Sequence, residues 1–366
     1  MDIQMSAAEL QKGLSRAQGI VDRKATLPIL ANVLLEAEGG SVRLAATDLE
    51  LALRDEHPAE VKREGRITVP AKNLLEIVRS LPDDTLTLSR GKNDWVEIRS
   101  GRAQFRIVGS SADDFPALPE EGDISFVDVP AGVLTEMVEK TRYAVSTDET
   151  RYNLNGVFVE SVDGRTRMVA TDGHRLALIA RDLGGDFGLK DGVIIPRKGL
   201  DEMRRLLGEK PGTVALGFSA NSAVFKTEGL VLIMRLVDGQ FPDYAQVIPE
   251  AVEHPLTVSR EGLLSTLRRV SIVAADRAPA VKLVLAPSVL TVVSENPDLG
   301  EAREDLEVAY DGGEITVGFN ARYLIDVLAV LDSEEVALEL TDELSPGVIR
   351  PVGDDGYTAV VMPMRI

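Results

Sequence analysis

The sequence contains no cysteine and few aromatic residues. Phe, Trp and Tyr together make up 4% of the 366 residues, and Trp95 is the single tryptophan. Without cysteine the protein has no disulfide, no thiolate metal site and no cysteine nucleophile, which is typical of a reducing compartment. The scarcity of aromatics argues against a surface on which nucleic-acid bases stack.

Long apolar stretches are also missing. No eighteen apolar residues run together, and the run at 230–234 is among the longest. Residues 1–4 have neither the basic nor the apolar segment of a signal peptide. We therefore expect no membrane span, no signal peptide and a cytoplasmic location.

The composition predicts a folded, acidic chain. Apolar residues make up 44% and charged residues 27%, which is typical of globular domains, and the length favours two or three of them. With 59 acidic and 40 basic residues the net charge is −19. Such a protein repels phosphate on average, so the sequence excludes indiscriminate nucleic-acid binding but not a local basic face.

Motifs for catalysis and metal binding are scarce. The chain has three histidines, and no two of them share a helix face at metal-ligand spacing, so we expect no metal and no cofactor. No phosphate-binding glycine loop and no nucleophile elbow occurs. The string Asp172-Gly173-His174 admits two interpretations: a hydrolase pair, or a strand-ending turn in which Gly173 takes a positive φ. Neighbouring Asp and His side chains rarely face each other, so we expect no catalytic residue and no enzyme activity.

The chain repeats itself about every 122 residues. The segment ATDLELAL at 46–53 is similar to ATDGHRLAL at 170–178, and the aspartates Asp48 and Asp172 lie 124 positions apart. Strand-like segments precede the two motifs, at 30–36 and 154–160. Phe-Pro pairs follow them, at 115–116 and 241–242. A fainter third copy ends at 362–363. The repeat predicts three like domains, copies one, two and three, at 1–121, 122–252 and 253–366.

Each copy has the pattern of an α+β domain. Apolar residues at three-to-four spacing predict two helices per copy, and short alternating runs between turns predict about eight strands. The predicted first helices span 7–20, 131–143 and 260–274, and the predicted second helices span 72–81, 198–207 and 321–331. We expect the helices to pack on one face of antiparallel sheet.

Basic residues concentrate on these helices despite the acidic total. Examples are Lys12 and Arg16, Lys140 and Arg142, and Arg204 and Arg205. A solvated helix face explains any one of them, but the pattern recurs in equivalent helices. It favours a locally positive surface that contacts the phosphates of DNA without reading sequence.

Several motifs together resemble the bacterial DNA sliding clamp family, the beta subunits of DNA polymerase III. They run the length of the chain: TLPIL at 26–30, ATDLE at 46–50, RYNLNG at 151–156, VATDGHRLA at 169–177, PRKG at 196–199, LVDGQFPDY at 236–244 and VVMPMRI at 360–366. The resemblance implies three domains of one fold per chain and a head-to-tail dimeric ring around duplex DNA. It implies a non-catalytic processivity factor that tethers the polymerase.

The family resemblance also implies a hydrophobic pocket for short peptides of partner proteins. The partners implied are the DNA polymerase III alpha subunit, the clamp loader and other proteins with a clamp-binding motif. The implied pocket residues are Leu154, Thr171, Gly173, His174, Arg175, Leu176, Pro242, Val247, Val360, Met362, Pro363, Met364 and Arg365. Apolar and methionine side chains suit such a groove, with His174 and Arg175 as polar anchors at its rim.

The resemblance implies two further sets of residues. DNA contacts fall on Lys24, Lys72, Arg197, Lys198 and Tyr152, and the dimer joint on Phe105 and Ile107 against Ile272 and Val273. The sequence departs from the family pattern at four positions, Lys24, Asp148, Asn153 and Pro346. Lys24 keeps the charge but loses the arginine fork, and Asp148 disfavours DNA contact by its loop.

Two alternatives stay open at this point. A diverged clamp-fold scaffold would bind partner peptides without serving replication, and primer extension separates it from a clamp. A hydrolase using Asp172 and His174 would lose turnover on substitution of His174, whereas a clamp would lose peptide affinity.

Overall fold

The computed structural model describes residues 1–21, 27–119, 121, 124–208, 212–249, 255–274 and 279–365. The predicted DNA contact Lys24 lies outside the described residues, as do parts of both predicted domain boundaries. None of the described helices is long and apolar enough to cross a membrane.

The described chain forms six α-helices and 25 strands, close to the two helices and eight strands predicted for each copy. The helices are α1 (Ala7–Ala17), α2 (Ala71–Arg79), α3 (Ala131–Arg142), α4 (Arg197–Leu207), α5 (Arg260–Val270) and α6 (Ala321–Ala329). All six predicted helices are confirmed. The first helices end earlier than predicted because the apolar pattern continues past them, as in the 3-10 turn Ser271–Val273 after α5.

The strands of copy one are β1 (Asp2–Ser6), β2 (Asn32–Glu38), β3 (Ser41–Thr47), β4 (Leu51–Pro58), β5 (Glu60–Arg63), β6 (Gly65–Pro70), β7 (Thr85–Arg90), β8 (Trp95–Ser100) and β9 (Ala103–Val108). Those of copy two are β10 (Phe126–Pro130), β11 (Gly156–Val162), β12 (Arg165–Thr171), β13 (Arg175–Arg181), β14 (Val193–Pro196), β15 (Thr213–Phe218), β16 (Ser222–Thr227) and β17 (Leu230–Arg235). Those of copy three are β18 (Leu256–Ser259), β19 (Ala280–Ala286), β20 (Val289–Asn296), β21 (Gly300–Glu307), β22 (Ile315–Asn320), β23 (Glu335–Glu339), β24 (Gly347–Pro351) and β25 (Tyr357–Val361).

The chain divides into two compact units that cut across the repeat. Unit 1 combines Met1–Ala131 with Asp201–Leu236, and unit 2 combines Gly132–Leu200 with Val237–Ile366. Unit 1 has a five-stranded sheet, β5-β1-β7-β8-β9, and an eight-stranded sheet, β10-β15-β16-β17-β4-β3-β2-β6. Unit 2 has an eight-stranded sheet, β14-β11-β12-β13-β25-β24-β23-β18, and a four-stranded sheet, β21-β20-β19-β22.

Each eight-stranded sheet joins strands of two neighbouring copies. In unit 1, β4 of copy one pairs antiparallel with β17 of copy two, and we call this junction the first seam. In unit 2, β13 of copy two pairs antiparallel with β25 of copy three, and we call this the second seam. The two seams use equivalent strands, because β4 corresponds to β13 in the repeat and β17 corresponds to β25.

The helices bury one apolar stripe each against these sheets. On α1 the buried residues Leu10, Leu14 and Ala17 recur at three-to-four spacing, as an amphipathic helix requires. Side-chain caps begin two of the helices: Ser259 accepts from the Gly262 amide at α5, and Asn320 accepts from the Arg322 amide at α6.

Candidate functional site

The ATD motifs form the same turn in both units. In unit 2, Thr171 Oγ1 accepts from the Gly173 amide at 3.1 Å and donates to the Arg175 carbonyl at 2.7 Å. Asp172 Oδ1 accepts from the amides of His174 and Arg175. Gly173 has φ +86°, which confirms the predicted strand-ending turn.

The matching turn in unit 1 follows β3. Thr47 Oγ1 accepts from the Leu49 amide and Asp48 Oδ1 from the Leu51 amide, so the hydrogen bonds are equivalent. Leu49 takes the place of Gly173 and has φ +79°, a conformation that costs an L-residue free energy. The Thr-Asp pair is therefore structural in both turns. Nothing in this geometry favours the hydrolase interpretation, because Asp172 bonds the backbone and the Arg175 side chain.

A cavity of about 170 Å³ opens beside the turn of unit 2, at the second seam. Its lining is mainly apolar and comes from the turn before β11, the end of β12 and the turn after it, the start of β13, the segment after Val237, and β25 with the residue that follows it. The lining residues are Leu154, Thr171, Gly173, Arg175, Leu176, Pro242, Asp243, Tyr244, Val247, Val360 and Met362. We call this cavity the pocket. An apolar cleft with a few polar groups is the usual form of a ligand site.

The structure brings nine of the thirteen predicted pocket residues together in this lining. The other four, His174, Pro363, Met364 and Arg365, are not part of it. His174 lies next to it, since its carbonyl accepts from the Met362 amide at 2.8 Å and its ring is 6.4 Å from the ring of Tyr323. Met364 is paired through its amide with the Gly318 carbonyl.

Two lining residues, Asp243 and Tyr244, were not predicted. Both residues belong to the family motif LVDGQFPDY at 236–244, and their place directly after the predicted pocket residue Pro242 was the signal that could have found them. Phe241 is buried and stacks on Phe158 with ring centroids 5.0 Å apart, which anchors this segment to the sheet.

Arg175 is not the rim anchor that we expected. Its Nε donates to Asp172 at 3.1 Å and its Nη1 to Asp326 at 2.5 Å. Its guanidinium also lies over the rings of Tyr143 and Tyr323, 5.4 and 4.6 Å from their centroids. These contacts hold it in the wall of the pocket, because a charge that is 12% exposed is stabilised only when it is paired.

The predicted DNA contacts lie at helix ends. Lys72 is in the first turn of α2, and Arg197 and Lys198 begin α4; all three are exposed. Lys198 corresponds to Lys72 in the repeat, and Arg322 at the start of α6 is a third exposed cation at this position. An exposed cation at the N-terminus of a helix is suited to a phosphate.

The loop before β11 is built mainly from local hydrogen bonds. Tyr152 is 60% exposed, as a contact residue should be. Asn153 Nδ2 donates to the Gln240 carbonyl at 3.0 Å, so this departure from the family pattern has a structural role. Asp148 accepts from Thr150, and these hydrogen bonds lower the pKa of the Asp148 carboxyl. Pro346 is half-buried just before β24.

The prediction that the helix-borne cations form one exposed surface is wrong for several of them. Arg16 and Lys140 are 5% and 7% exposed, the first paired with Asp55 and the second with Glu136. Arg205 donates to the carbonyls of Ser15 and Arg16 at the end of α1. A basic residue in a helical segment does not by itself show whether its side chain lies on the exposed or the buried face. These three side chains bond to groups of the protein instead of facing solvent.

A buried charge cluster ties α1 to β4. Arg16 Nη1 donates to both oxygens of Asp55 at 2.9 Å, and His57 lies between two carboxylates, 2.8 Å from Glu9 and 3.0 Å from Asp55. Gly13 on α1 leaves room for His57, since a Cβ there would lie 2.6 Å from Nε2. Burial opposes the charged imidazole, but Asp55 and Glu9 outweigh it and raise the pKa of His57.

The predicted dimer residues lie in two places, on β9 of copy one and in the turn after α5 of copy three. Phe105 and Ile107 are half-buried on β9, the edge of the five-stranded sheet. Ile272 is 76% exposed and Val273 half-buried, both in the turn after α5. In the described part of the chain, no group of three or more His, Asp or Glu side chains is arranged to hold a metal ion.

Comparison with known proteins gives the class. Profiles of the DNA polymerase III beta subunit match its N-terminal domain at 1–119, its central domain at 128–243 and its C-terminal domain at 245–365. The Beta sliding clamp of Caulobacter vibrioides strain NA1000 / CB15N is 38% identical, with all of both chains covered. Two solved structures cover the whole of both chains with a TM-score of 0.95: the Pseudomonas aeruginosa DNA polymerase sliding clamp with ligand, at 35% identity, and the Bartonella birtlesii DnaN sliding clamp bound to griselimycin, at 38%.

The fold and the matches together define a DNA sliding clamp. The chain belongs to the DNA polymerase III beta subunit family. It is a processivity factor, a DNA-encircling ring protein that binds the polymerase and has no catalytic activity of its own. The comparisons support this reading and not the diverged scaffold.

Proposed function

We propose that two copies of this chain close head to tail into the ring, with the joint formed as a third seam. Within the chain, each seam pairs β4 or β13 with β17 or β25. The strands equivalent to these are β21 in copy three and β9 in copy one, and both are edge strands among the described elements. These two edges are the observation that carries the proposal, because an edge strand presents a row of backbone donors and acceptors to a further strand.

The side chains at these two edges support such a joint. The exposed charged residues of β21 are Glu301, Arg303, Asp305 and Glu307, which carry a net negative charge, whereas Arg106 is the exposed charge on β9. Opposite charges orient the two edges, and a head-to-tail contact closes into a ring when its rotation permits. The proposed apolar contacts are Phe105 and Ile107 with Ile272 and Val273 of the partner.

We further propose that duplex DNA inside this ring meets the cations at the starts of the second helices. The candidates among the described residues are Lys72, Arg197 and Lys198, and Tyr152 is a further proposed contact. The family pattern adds Lys24. The contacts are to phosphate, so they are independent of sequence and weaken steeply with salt. The acidic body as a whole repels DNA, which allows the ring to slide.

The pocket is proposed as the site for peptides of the DNA polymerase III alpha subunit, the clamp loader and other clamp-binding proteins. Its apolar lining and the adaptable Met362 suit short apolar motifs. We propose that it also binds griselimycin, the ligand named for the relative from Bartonella birtlesii.

The domains are proposed at 1–121, 122–252 and 253–366, and the protein is proposed to act in the cytoplasm, where the bacterial chromosome lies.

Topological retention on DNA tests the ring. The wild-type protein, loaded onto nicked circular DNA by the clamp loader, should remain bound through gel filtration and leave when the circle is linearised. Ile272→Asp should sediment as a monomer and be lost from both DNA forms, because it places a charge in the joint. Val352→Asp is the matched control at another exposed apolar residue and should behave as wild type. Equal retention on linear and circular DNA would contradict the proposal.

A further inference from the structure

A polar cluster fastens the segment that forms one wall of the pocket. The Tyr244 hydroxyl donates to Glu160 Oε1, and Arg167 Nη1 donates to that hydroxyl at 2.6 Å and to Glu160 at 3.2 Å. Glu160 and Arg167 are direct partners across β11 and β12. The segment 241–248 is therefore fixed to the sheet at Tyr244 as well as at Phe241.

The first seam contains the same cross-strand pair without the tyrosine. Glu36 and Arg43 correspond to Glu160 and Arg167 in the repeat and are partners across β2 and β3. They are 3.9 Å apart, with side chains 33% and 50% exposed, whereas the pair in unit 2 is 14% and 29% exposed. The residue in the place of Tyr244 is Leu118, which has no hydroxyl to join such a pair.

Leu118 instead covers the first seam. It packs against a copy-one cluster that includes Phe115 and also against a cluster in which Val224 and Ile233 come from copy two. The chain beyond it is fastened on the same side, since the Pro119 carbonyl accepts from Arg54 at 2.7 Å and Glu121 pairs with Lys226. Ile233 corresponds to Val360 of the pocket, so Leu118 lies where a ligand would contact the second seam.

We propose that Tyr244, Glu160 and Arg167 are positioning residues that hold segment 241–248 aside and so keep the pocket open. The inference rests on the proposed pocket function. The phenylalanine anchor is common to both seams, since Phe115 and Phe241 are both buried, so the hydrogen bonds of Tyr244 are what distinguish segment 241–248 from 115–119. The two seams show the two arrangements. At the second seam the Tyr244 hydroxyl is held by Glu160 and a cavity is present, and at the first seam Leu118 packs across the joint.

Isothermal titration with griselimycin tests this inference. Tyr244→Phe and Glu160→Ala each remove a hydrogen bond that involves a charged group, and we expect each to weaken binding about tenfold. Tyr244→Leu should weaken it more, because the new side chain can cover the cavity as Leu118 does. Glu160→Gln keeps an acceptor for the hydroxyl and should stay within about threefold of wild type.

Two controls separate positioning from general damage. Tyr310→Phe removes a hydroxyl that donates to the Gly313 carbonyl elsewhere in unit 2, and its affinity should not change. Hydrogen exchange of the amides at 244–248 should quicken in Tyr244→Phe and Glu160→Ala but not in Glu160→Gln.

The outcomes separate the positioning role of these residues from the binding function of the pocket. If wild type binds griselimycin and Tyr244→Phe and Glu160→Ala bind it equally well, the positioning role is wrong while the pocket stands. Equal losses in Glu160→Ala and Glu160→Gln would also overturn it, because the hydrogen bond would then not matter. If the wild type does not bind griselimycin, the proposed pocket function fails and this inference fails with it.

Discussion

The two seams share their strands and turns and differ in what lies across them. At the first seam Leu118 bridges the clusters on either side, and at the second the pocket is open. The turn beside the first seam carries Leu49 at φ +79°, whereas the second carries Gly173 at φ +86°. The comparison teaches that one scaffold gives either a bridged apolar joint or an open pocket, depending on a few side chains.

The charge clusters of the two units differ in a parallel way. In unit 1 the cluster joins Arg16, Asp55, His57 and Glu9 between α1 and β4. In unit 2 the residues equivalent to Arg16 and His57 are Lys140 and Arg181, and both bond Glu136. Both clusters fix a helix to a sheet, but only the one in unit 1 contains a group that titrates near neutral pH.

The largest effect that we expect comes from breaking the unit 1 cluster. Asp55→Ala leaves the Arg16 guanidinium buried without its carboxylate, which typically costs about 3–5 kcal/mol. Guanidinium denaturation followed by fluorescence of Trp95, which lies in unit 1, measures this loss.

The control for that experiment is an exposed ion pair in the same unit. Glu76→Ala removes the partner of Lys72, whose side chain is 59% exposed, and should cost about 0.5 kcal/mol or less. A loss below about 1 kcal/mol for Asp55→Ala would show that the cluster is not a buried ion pair in solution.

The second expected effect is a loss of stability above pH 6.5 in unit 1 but not in unit 2. Asp55 and Glu9 raise the pKa of His57 despite its burial, with Arg16 and Lys12 the nearby cations. The stabilisation is fully present below the ordinary histidine pKa of 6.5 and is lost as pH rises through the raised value.

Native-state hydrogen exchange at β4 and β13 separates the two units in this test. Protection at β4 should fall as pH rises above 6.5, after correction for the intrinsic exchange rate, and His57→Gln should remove that trend. In unit 2 the guanidinium of Arg181 stays charged throughout the window, so β13 should show no such trend. Glu136, whose pKa Arg181 and Lys140 lower to about 2, contributes stability that is lost only as pH falls from about 4.5 towards 2. An equal loss at β13 above pH 6.5 would contradict the assignment to His57.

The sequence predicted the repeat and the six helices, because these depend on local periodicity and on motifs in fixed order. Nine of the eleven lining residues of the pocket were implied by the family resemblance alone. The sequence did not predict that Arg16 bonds inward, since its partner Asp55 lies 39 residues away on β4. Glu136 is only four residues from Lys140 on α3, but the sequence does not show that Lys140 is buried. Tyr244 was missed for the same reason as Arg16: its hydrogen bonds run to β11 and β12, more than 70 residues away. Pairings between distant strands, such as the seams, leave no local signal in one sequence.

The smallest expected effect concerns the turn residue that distinguishes the seams. Leu49→Gly removes the strain of an L-residue at positive φ, about 1–2 kcal/mol, and adds about 0.5–1 kcal/mol of unfolded-state entropy. Leu49 is 56% exposed, so little apolar burial is lost, and unit 1 should gain about 0.5–1 kcal/mol. Denaturation followed at Trp95 measures the gain, with Leu49→Ala as the control, because alanine keeps the strain. If Leu49→Gly is no more stable than Leu49→Ala, the positive φ at this turn carries little strain and the prediction is wrong. A loss of stability in both variants would show that the leucine side chain stabilises the first seam by packing.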